Sequence, residues 1–221
     1  ATPFTEIFLK SSLNAGKELQ PVSTVAILDF FLITRPELGA TFKEFLAKAN
    51  ATRLKHAAPT LVNYAFIGYF AKQTGFEFDN IPYKSTAQAL NDVLGGQVDA
   101  MFPTLPLALP HIKAGKLRVL GVTSAKRANT LPDLPAIAET LPGYDITNWY
   151  GLAAPRGTAQ AIVARLNSEV TRVLTRVDIR QSFESEAIDV IGSTPEVFGD
   201  YLKMELLKWG RLVRSSGLRV E

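Results

Sequence analysis

The chain of 221 residues is 47 % hydrophobic and carries 24 Lys and Arg against 21 Asp and Glu, for a net charge of +3. Those proportions suit a globular protein with a sizeable core, as one large domain or two small lobes; the charges are scattered, with no basic run or aromatic-interleaved stripe, which argues against nucleic acid as a partner. Cysteine is absent, so disulfides, thiol catalysis and zinc–thiolate sites are excluded together, and no apolar run approaches the roughly 20 residues of a membrane helix.

The leading stretch has no charged region followed by an apolar one, so any export signal is expected to have been removed or never present. The longest apolar run, "TVAILDFFLIT" from Thr24 to Thr34, is rich in β-preferring residues and predicts one buried strand. Thr41 then opens T-x-x-E with Glu44, a capping box in which each side chain serves the other's backbone amide, ahead of an apolar face of Phe42, Phe45, Leu46 and Ala49. "RLKHAA" predicts a short strand, a helix covers about 63–74 and ends at Gly75, and "FEFDNIPY" is extended.

The stretch "PYKSTAQALNDVLGGQVDAMF", residues 82–102, can be read almost position by position. Ser85 or Thr86 suits an N-cap, because a hydroxyl accepts from the orphan amides of the first turn. Ala87, Leu90, Val93 and Leu94 recur at helical spacing, and Gly95-Gly96 ends the helix. Val98, Ala100 and Phe102 alternate with Asp99 and Met101 at the period of a strand. A helix feeding a strand through a glycine turn is half of a βαβ unit, so the class is α/β.

"KLRVLGVT" (116–123) predicts another strand. The proline-rich segment that follows, up to Pro155, reads as a connector with one strand, Ile146 to Ala153, and as the crossing between lobes. The last third is helical: Thr158 is expected to cap a helix burying Ile162, Leu166, Val170, Val173 and Leu174, Asp178 opens a short helix, and "AIDVIG" is a strand. Thr194, Pro195 and Glu196 start the final helix, whose buried stripe is Phe198, Tyr201, Leu202, Glu205, Leu206, Trp209, Leu212 and Val213, with Gly217 as its stop. No internal repeat or low-complexity tract is present.

Nothing in this series forms a catalytic set. His56 and His111 lie far apart without a carboxylate cluster and read as structural or surface residues rather than ligands or bases. Ser23, Ser124 and Ser193 lack a nucleophile elbow and a base. "KAGK" and "LGGQ" are glycine turns without P-loop spacing, and Lys84 reads as a solvated strand end.

Four stretches, "PYKSTAQALNDVLGGQVDAMF", "LPHIKAGKLRVLGVTSAKR", "LPDLPAIAETLPGYDITNWYGLAAPRGT" and "GSTPEVFGDYLKMELLKWGRLVRSSG", occur in one order that closely resembles the extracytoplasmic substrate-binding proteins of tripartite tricarboxylate transporters, known as Bug receptors in Bordetella. The resemblance covers essentially the whole chain. It implies a two-lobed α/β fold of the periplasmic binding protein type (type II). It also implies a periplasmic location, no cofactor, and a small carboxylate trapped by lobe closure for delivery to integral-membrane transporter subunits. The expected division is 1–34 as a remnant of lobe 1, 35–146 as lobe 2 and 147–221 as the C-terminal part of lobe 1. Two departures accompany it. The chain begins well past the family's first strands, so the first lobe is expected to be incomplete and self-association through it is possible. At "HAAPTLVNYAFIG" the family's polar turn and histidine are reduced to Thr60, Asn63 and Tyr64, with Ala65 where the histidine is expected, and Pro103 replaces the usual acid. Thr60, Asn63, Tyr64 and Thr104 are therefore the expected ligand-binding residues beside helix starts and strand ends, joined by Thr2 and Thr5 of the leading stretch. For Trp149 and Tyr150, ligand-lining and core roles stay open. The expected pocket is less polar than the family's, suited to a ligand with an apolar or aromatic body or to a site that has lost tight binding. A transport receptor is the leading function, a ligand-sensing or binding-impaired member of the same fold is the alternative, and an enzyme is unlikely.

Overall fold

The computed structural model describes residues 15–129 and 131–216. The chain divides into two compact units, one from residues 1–28 and 149–221 and the other from 29–148. Thr2 and Thr5, the leading stretch that carries them and Gly217 lie outside the described residues.

In the 29–148 unit a five-stranded sheet runs in the order β4-β3-β5-β2-β6, built from β2 (Phe31–Thr34), β3 (Leu54–Ala58), β4 (Phe78–Pro82), β5 (Ala100–Met101) and β6 (Arg118–Val122). β3 is parallel to β4 and β5, whereas β2 is antiparallel to β5 and β6. The single strand expected over Thr24–Thr34 is two: β1 (Leu19–Asp29) belongs to the other unit's sheet, and β2 begins after Phe30. Apolar content alone could not reveal this break, since both halves are buried.

Local signals set most of the helices here. In α1 (Phe42–Ala51) the Thr41 hydroxyl accepts from Glu44 N at 3.2 Å. The return bond departs from the expected box, since Glu44 accepts from Ala40 N (2.8 Å) rather than from the cap residue. α2 (Leu61–Thr74) is capped by Thr60 and ended by Gly75, whose φ of +75° is left-handed. Ser85 caps α3 (Thr86–Leu94), accepting from Gln88 N at 3.2 Å. Its buried face is Ala89, Leu90 and Val93, while Ala87 is exposed and Leu94 half-buried. Of the two terminal glycines, Gly96 and not Gly95 takes the left-handed conformation (φ +76°), with the Arg35 guanidinium packed over it.

That arginine explains the order of the 82–102 stretch. Its guanidinium donates to the Val98 carbonyl (2.8 Å) and pairs with Asp99 (3.4 Å), while Asp99 accepts from Lys55 N at 2.8 Å. The turn after α3 is thereby tied to the start of β3. The alternation expected around Met101 is absent: Ala100 and Met101 are both buried, because β5 lies between β3 and β2 and is covered on both faces. α4 (Leu105–Lys113) was not legible from the sequence, since two prolines break its pattern. Pro106 occupies the first turn, where a missing amide costs little, and Pro110 falls within the helix. An aromatic cluster fills the core, with Phe70 in ring contact with Phe42, Phe78, Phe102 and Tyr144 at centroid separations of 5.6–6.1 Å.

The other unit has a three-stranded sheet, β7-β1-β8, with β7 (Thr147–Pro155) and the two-residue β8 (Asp189–Val190) flanking β1. A short helix, Ala15–Glu18, precedes β1, and the longer helices are α5 (Gln160–Leu174), α6 (Val177–Ser185) and α7 (Pro195–Ser216). Thr158 does not cap α5: its hydroxyl donates to Pro155 O at 2.7 Å and the cap position is Ala159. The expected buried stripe of α5 holds only in part: Leu174 is buried and Val170 half-buried as expected, but Ile162, Leu166 and Val173 are exposed and Val163 is buried instead. The inward face is set by Asn167, whose amide donates to Val22 O (2.8 Å) and Ser193 O (2.7 Å) and so satisfies two carbonyls of the sheet region.

α7 starts as expected, with Val197 N donating to Thr194 Oγ1 at 3.3 Å. Its polar core member has a clear reason. Glu205, 2 % exposed, accepts at Oε2 from the indoles of both tryptophans of the chain, Trp149 and Trp209, each at 3.1 Å, and pairs with Lys208. A buried carboxylate is tolerable when its lone pairs are filled in this way.

Candidate functional site

In an open α/β sheet, the strand ends that feed helix starts are where ligands gather. In the 29–148 unit that edge is assembled from β3, β5 and β6, which point one way, and from the beginning of β2, which points the other. Beyond β3 stands Thr60 at the start of α2; beyond β5 stands Thr104 at the start of α4. Both caps are extended; Asn63 N is taken by Thr60 O at 3.0 Å and Pro106 has no amide, so an anion would be received by the remaining first-turn amides.

Backbone bonds bind the edge together. Phe31 N donates to Pro103 O (3.0 Å), Thr123 N donates to Phe30 O (2.9 Å), and Phe30 bridges Thr104. The Thr60 hydroxyl donates to Asn63 Oδ1 at 2.7 Å, and the buried Asn63 amide donates to Phe102 O at 3.1 Å. Thr60 and Asn63 are therefore one unit, fastened to the end of β5 and hence beside Pro103 and Thr104. Tyr64, half-buried, occupies the same first turn of α2. The side chain of Ala65 is outside what is described.

Sequence reasoning passed over Phe30, which it left inside a continuous strand. Its ring meets the fully buried Phe66 of α2 edge-on, with centroids 4.5 Å apart, and the residue is only partly buried at the strand ends. The signal available was Asp29, a charged residue interrupting an apolar run. Thr123, whose hydroxyl lies 2.6 Å from Ile146 O and 3.0 Å from Phe30 O, carried no signal at all.

Trp149 and Tyr150 belong to the other unit. Trp149 is held by Glu205 and by edge-on contacts with Phe198 and Tyr201 at 5.6 and 5.7 Å, whereas Tyr150 is 56 % exposed. Lys84 is exposed.

Two hollows elsewhere are poorly matched to a carboxylate. A groove of about 470 Å³ in the 29–148 unit is lined by Leu105, Leu109, Ile112, Val119, Leu134 and nearby residues, with Asp133 as its charged group. Another of about 450 Å³ in the second unit carries Glu196 together with Asp200 and Lys203, which pair at 3.0 Å, so its cation is already matched by a carboxylate.

His56, on β3, is structural. Its Nδ1 lies 3.0 Å from Asn80 Oδ1, its ring packs against Phe102 (5.6 Å), and burial lowers its pKa from 6.5 to about 4. The described residues contain no group of three His, Cys, Asp or Glu placed to hold a metal ion, and no helix among them is long and apolar enough to cross a membrane.

Comparison with known proteins agrees with this architecture. The family model of the tripartite tricarboxylate transporter family receptor matches residues 2–218. A protein of Pseudomonas sp. strain P51, described as a UPF0065 protein in the tcbD-tcbE intergenic region, is 34 % identical over 209 residues, covering 90 % of this chain. The chain spans 62 % of that relative's length. Among solved structures, R. palustris Rpa4515 with adipate superposes with a TM-score of 0.83 at 27 % identity, covering 96 % of this chain and 73 % of that one. MatC from Rhodopseudomonas palustris with bound malate gives a TM-score of 0.79 at 27 % identity, covering 96 % and 75 %. Matched along nearly its whole length, the chain belongs to the family of tripartite tricarboxylate transporter receptors.

Proposed function

We infer that this protein is a periplasmic solute receptor, not an enzyme, that binds a small carboxylate and delivers it to the membrane subunits of a tripartite tricarboxylate-type transporter. The observation that carries the reading is the likeness, over 96 % of the chain, to two receptors whose structures hold adipate and malate. Thr60, Asn63, Tyr64 and Thr104 are the ligand-binding residues of the 29–148 unit. In this reading the Thr60–Asn63 pair holds the start of α2 in place, and the amides at the starts of α2 and α4 receive the carboxylate without a formal countercharge. In this reading residues 1–34 and 147–221 form one lobe and 35–146 the other, a division that the compact units 1–28 with 149–221 and 29–148 support.

Isothermal titration calorimetry against mono-, di- and tricarboxylates tests the reading. Saturable 1:1 binding of at least one acid, weakened by Asn63→Ala, is expected. An absence of binding across the panel by protein shown to be folded would refute it.

A further inference from the structure

We propose that Phe30 is a specificity-determining residue of the carboxylate site and that it selects a singly charged carboxylate with an aromatic or extended apolar body. The inference rests on the receptor reading above and narrows its substrate class. Phe30 is held at the strand ends by its backbone: its carbonyl receives Thr123 N at 2.9 Å, the next amide donates to Pro103 O at 3.0 Å, and it bridges Thr104. Its ring is fixed from one side by Phe66 at 4.5 Å, yet the residue keeps some contact with solvent, unlike the buried Phe66 and Phe102 of the same cluster. An aromatic ring immobilised at a ligand-gathering edge offers apolar contact at little entropic cost.

The neighbouring polar groups reinforce this preference. The Thr60 hydroxyl and the Asn63 amide are engaged with each other and with Phe102 O, and the Thr123 hydroxyl lies against Ile146 O and Phe30 O. Thr60, Asn63, Thr104 and Thr123 are all neutral. Helix-start amides can receive one carboxylate, and a second or third carboxylate held against the apolar Phe30 ring would give up its water to a surface that offers it no hydrogen bond. A phenyl or alkyl body meets no such penalty.

Calorimetry with 3-phenylpropanoate, malate and citrate is the test, on the wild-type chain, Phe30→Ala and Phe30→Leu. The wild type is expected to bind 3-phenylpropanoate about tenfold or more tighter than malate or citrate, and Phe30→Ala to lose about tenfold for the aromatic acid alone. Should Phe30→Ala fail to fold, Phe30→Leu carries the same comparison: a loss of about threefold for 3-phenylpropanoate with malate unchanged supports the proposal. Tighter binding of malate or citrate, or an aromatic affinity indifferent to both substitutions, overturns the selectivity while leaving the receptor reading intact. Failure of every carboxylate to bind overturns both.

Discussion

Acidification should destabilise this protein through His56 well before its carboxylates protonate. The imidazole is fully buried on β3, with one nitrogen beside Asn80 Oδ1 at 3.0 Å and no hydrogen-bond partner for Nε2 among the described residues. Desolvation favours the neutral ring and lowers the pKa from 6.5 to about 4; the bond to Asn80 opposes this only in part. A lowered histidine pKa means that the unfolded chain takes up the proton first. Stability is therefore unaffected above the unfolded value of 6.5 and falls as the pH drops from there towards 4, where the folded ring also titrates. Between pH 7.5 and 5.0 the loss comes to about 2 kcal/mol, at 1.36 kcal/mol for each unit of pKa difference expressed over that interval. The carboxylates of Glu139 and Asp178, held low by Arg127 and Arg176, act in the same direction but only at lower pH, as the solution falls through their unfolded values near 4. Urea denaturation at pH 7.5 and 5.0, on the wild type and on His56→Gln, isolates the effect. Gln cannot titrate, so the variant should start less stable but lose about 2 kcal/mol less on acidification. Equal losses in the two proteins would refute the assignment.

Two further substitutions probe the other unit. Glu205→Ala removes the carboxylate acceptor shared by the indole N–H groups of Trp149 and Trp209 and one ion-pair contact of Lys208; a loss of about 3 kcal/mol and a shift in tryptophan emission are expected, and Glu205→Gln, which keeps an acceptor, should cost less. A loss within about 0.5 kcal/mol for Glu205→Ala would show that the carboxylate is dispensable. At Gly151 on β7 an added Cβ would lie 2.3 Å from Phe198 Cζ, so Gly151→Ala should cost about 2 kcal/mol by thermal or urea unfolding. Pairing it with Phe198→Leu should restore most of that loss, and additive losses would point to a different cause.

Much of the local structure was determined by the sequence itself. Thr41, Thr60, Ser85 and Thr194 begin their helices because a hydroxyl followed by free amides is a short-range arrangement that needs no distant partner. Gly75 and Gly96 end two of them for an equally local reason, a positive φ. The family was legible as well, through ordered motifs along the whole chain. Tertiary structure alone decided which apolar face is buried and where long apolar runs divide. The α5 stripe kept only part of its expected face, with Asn167 turned inward because two sheet-region carbonyls needed its amide, and Glu205 entered the core because two indoles and an ammonium meet there. The run from Thr24 to Thr34 split at Phe30 because its halves pair with strands far away in sequence, β8 in one sheet and β5 and β6 in the other. Hydrophobicity records that a residue will leave water, whereas hydrogen bonds to remote backbone determine which partner it leaves water to meet.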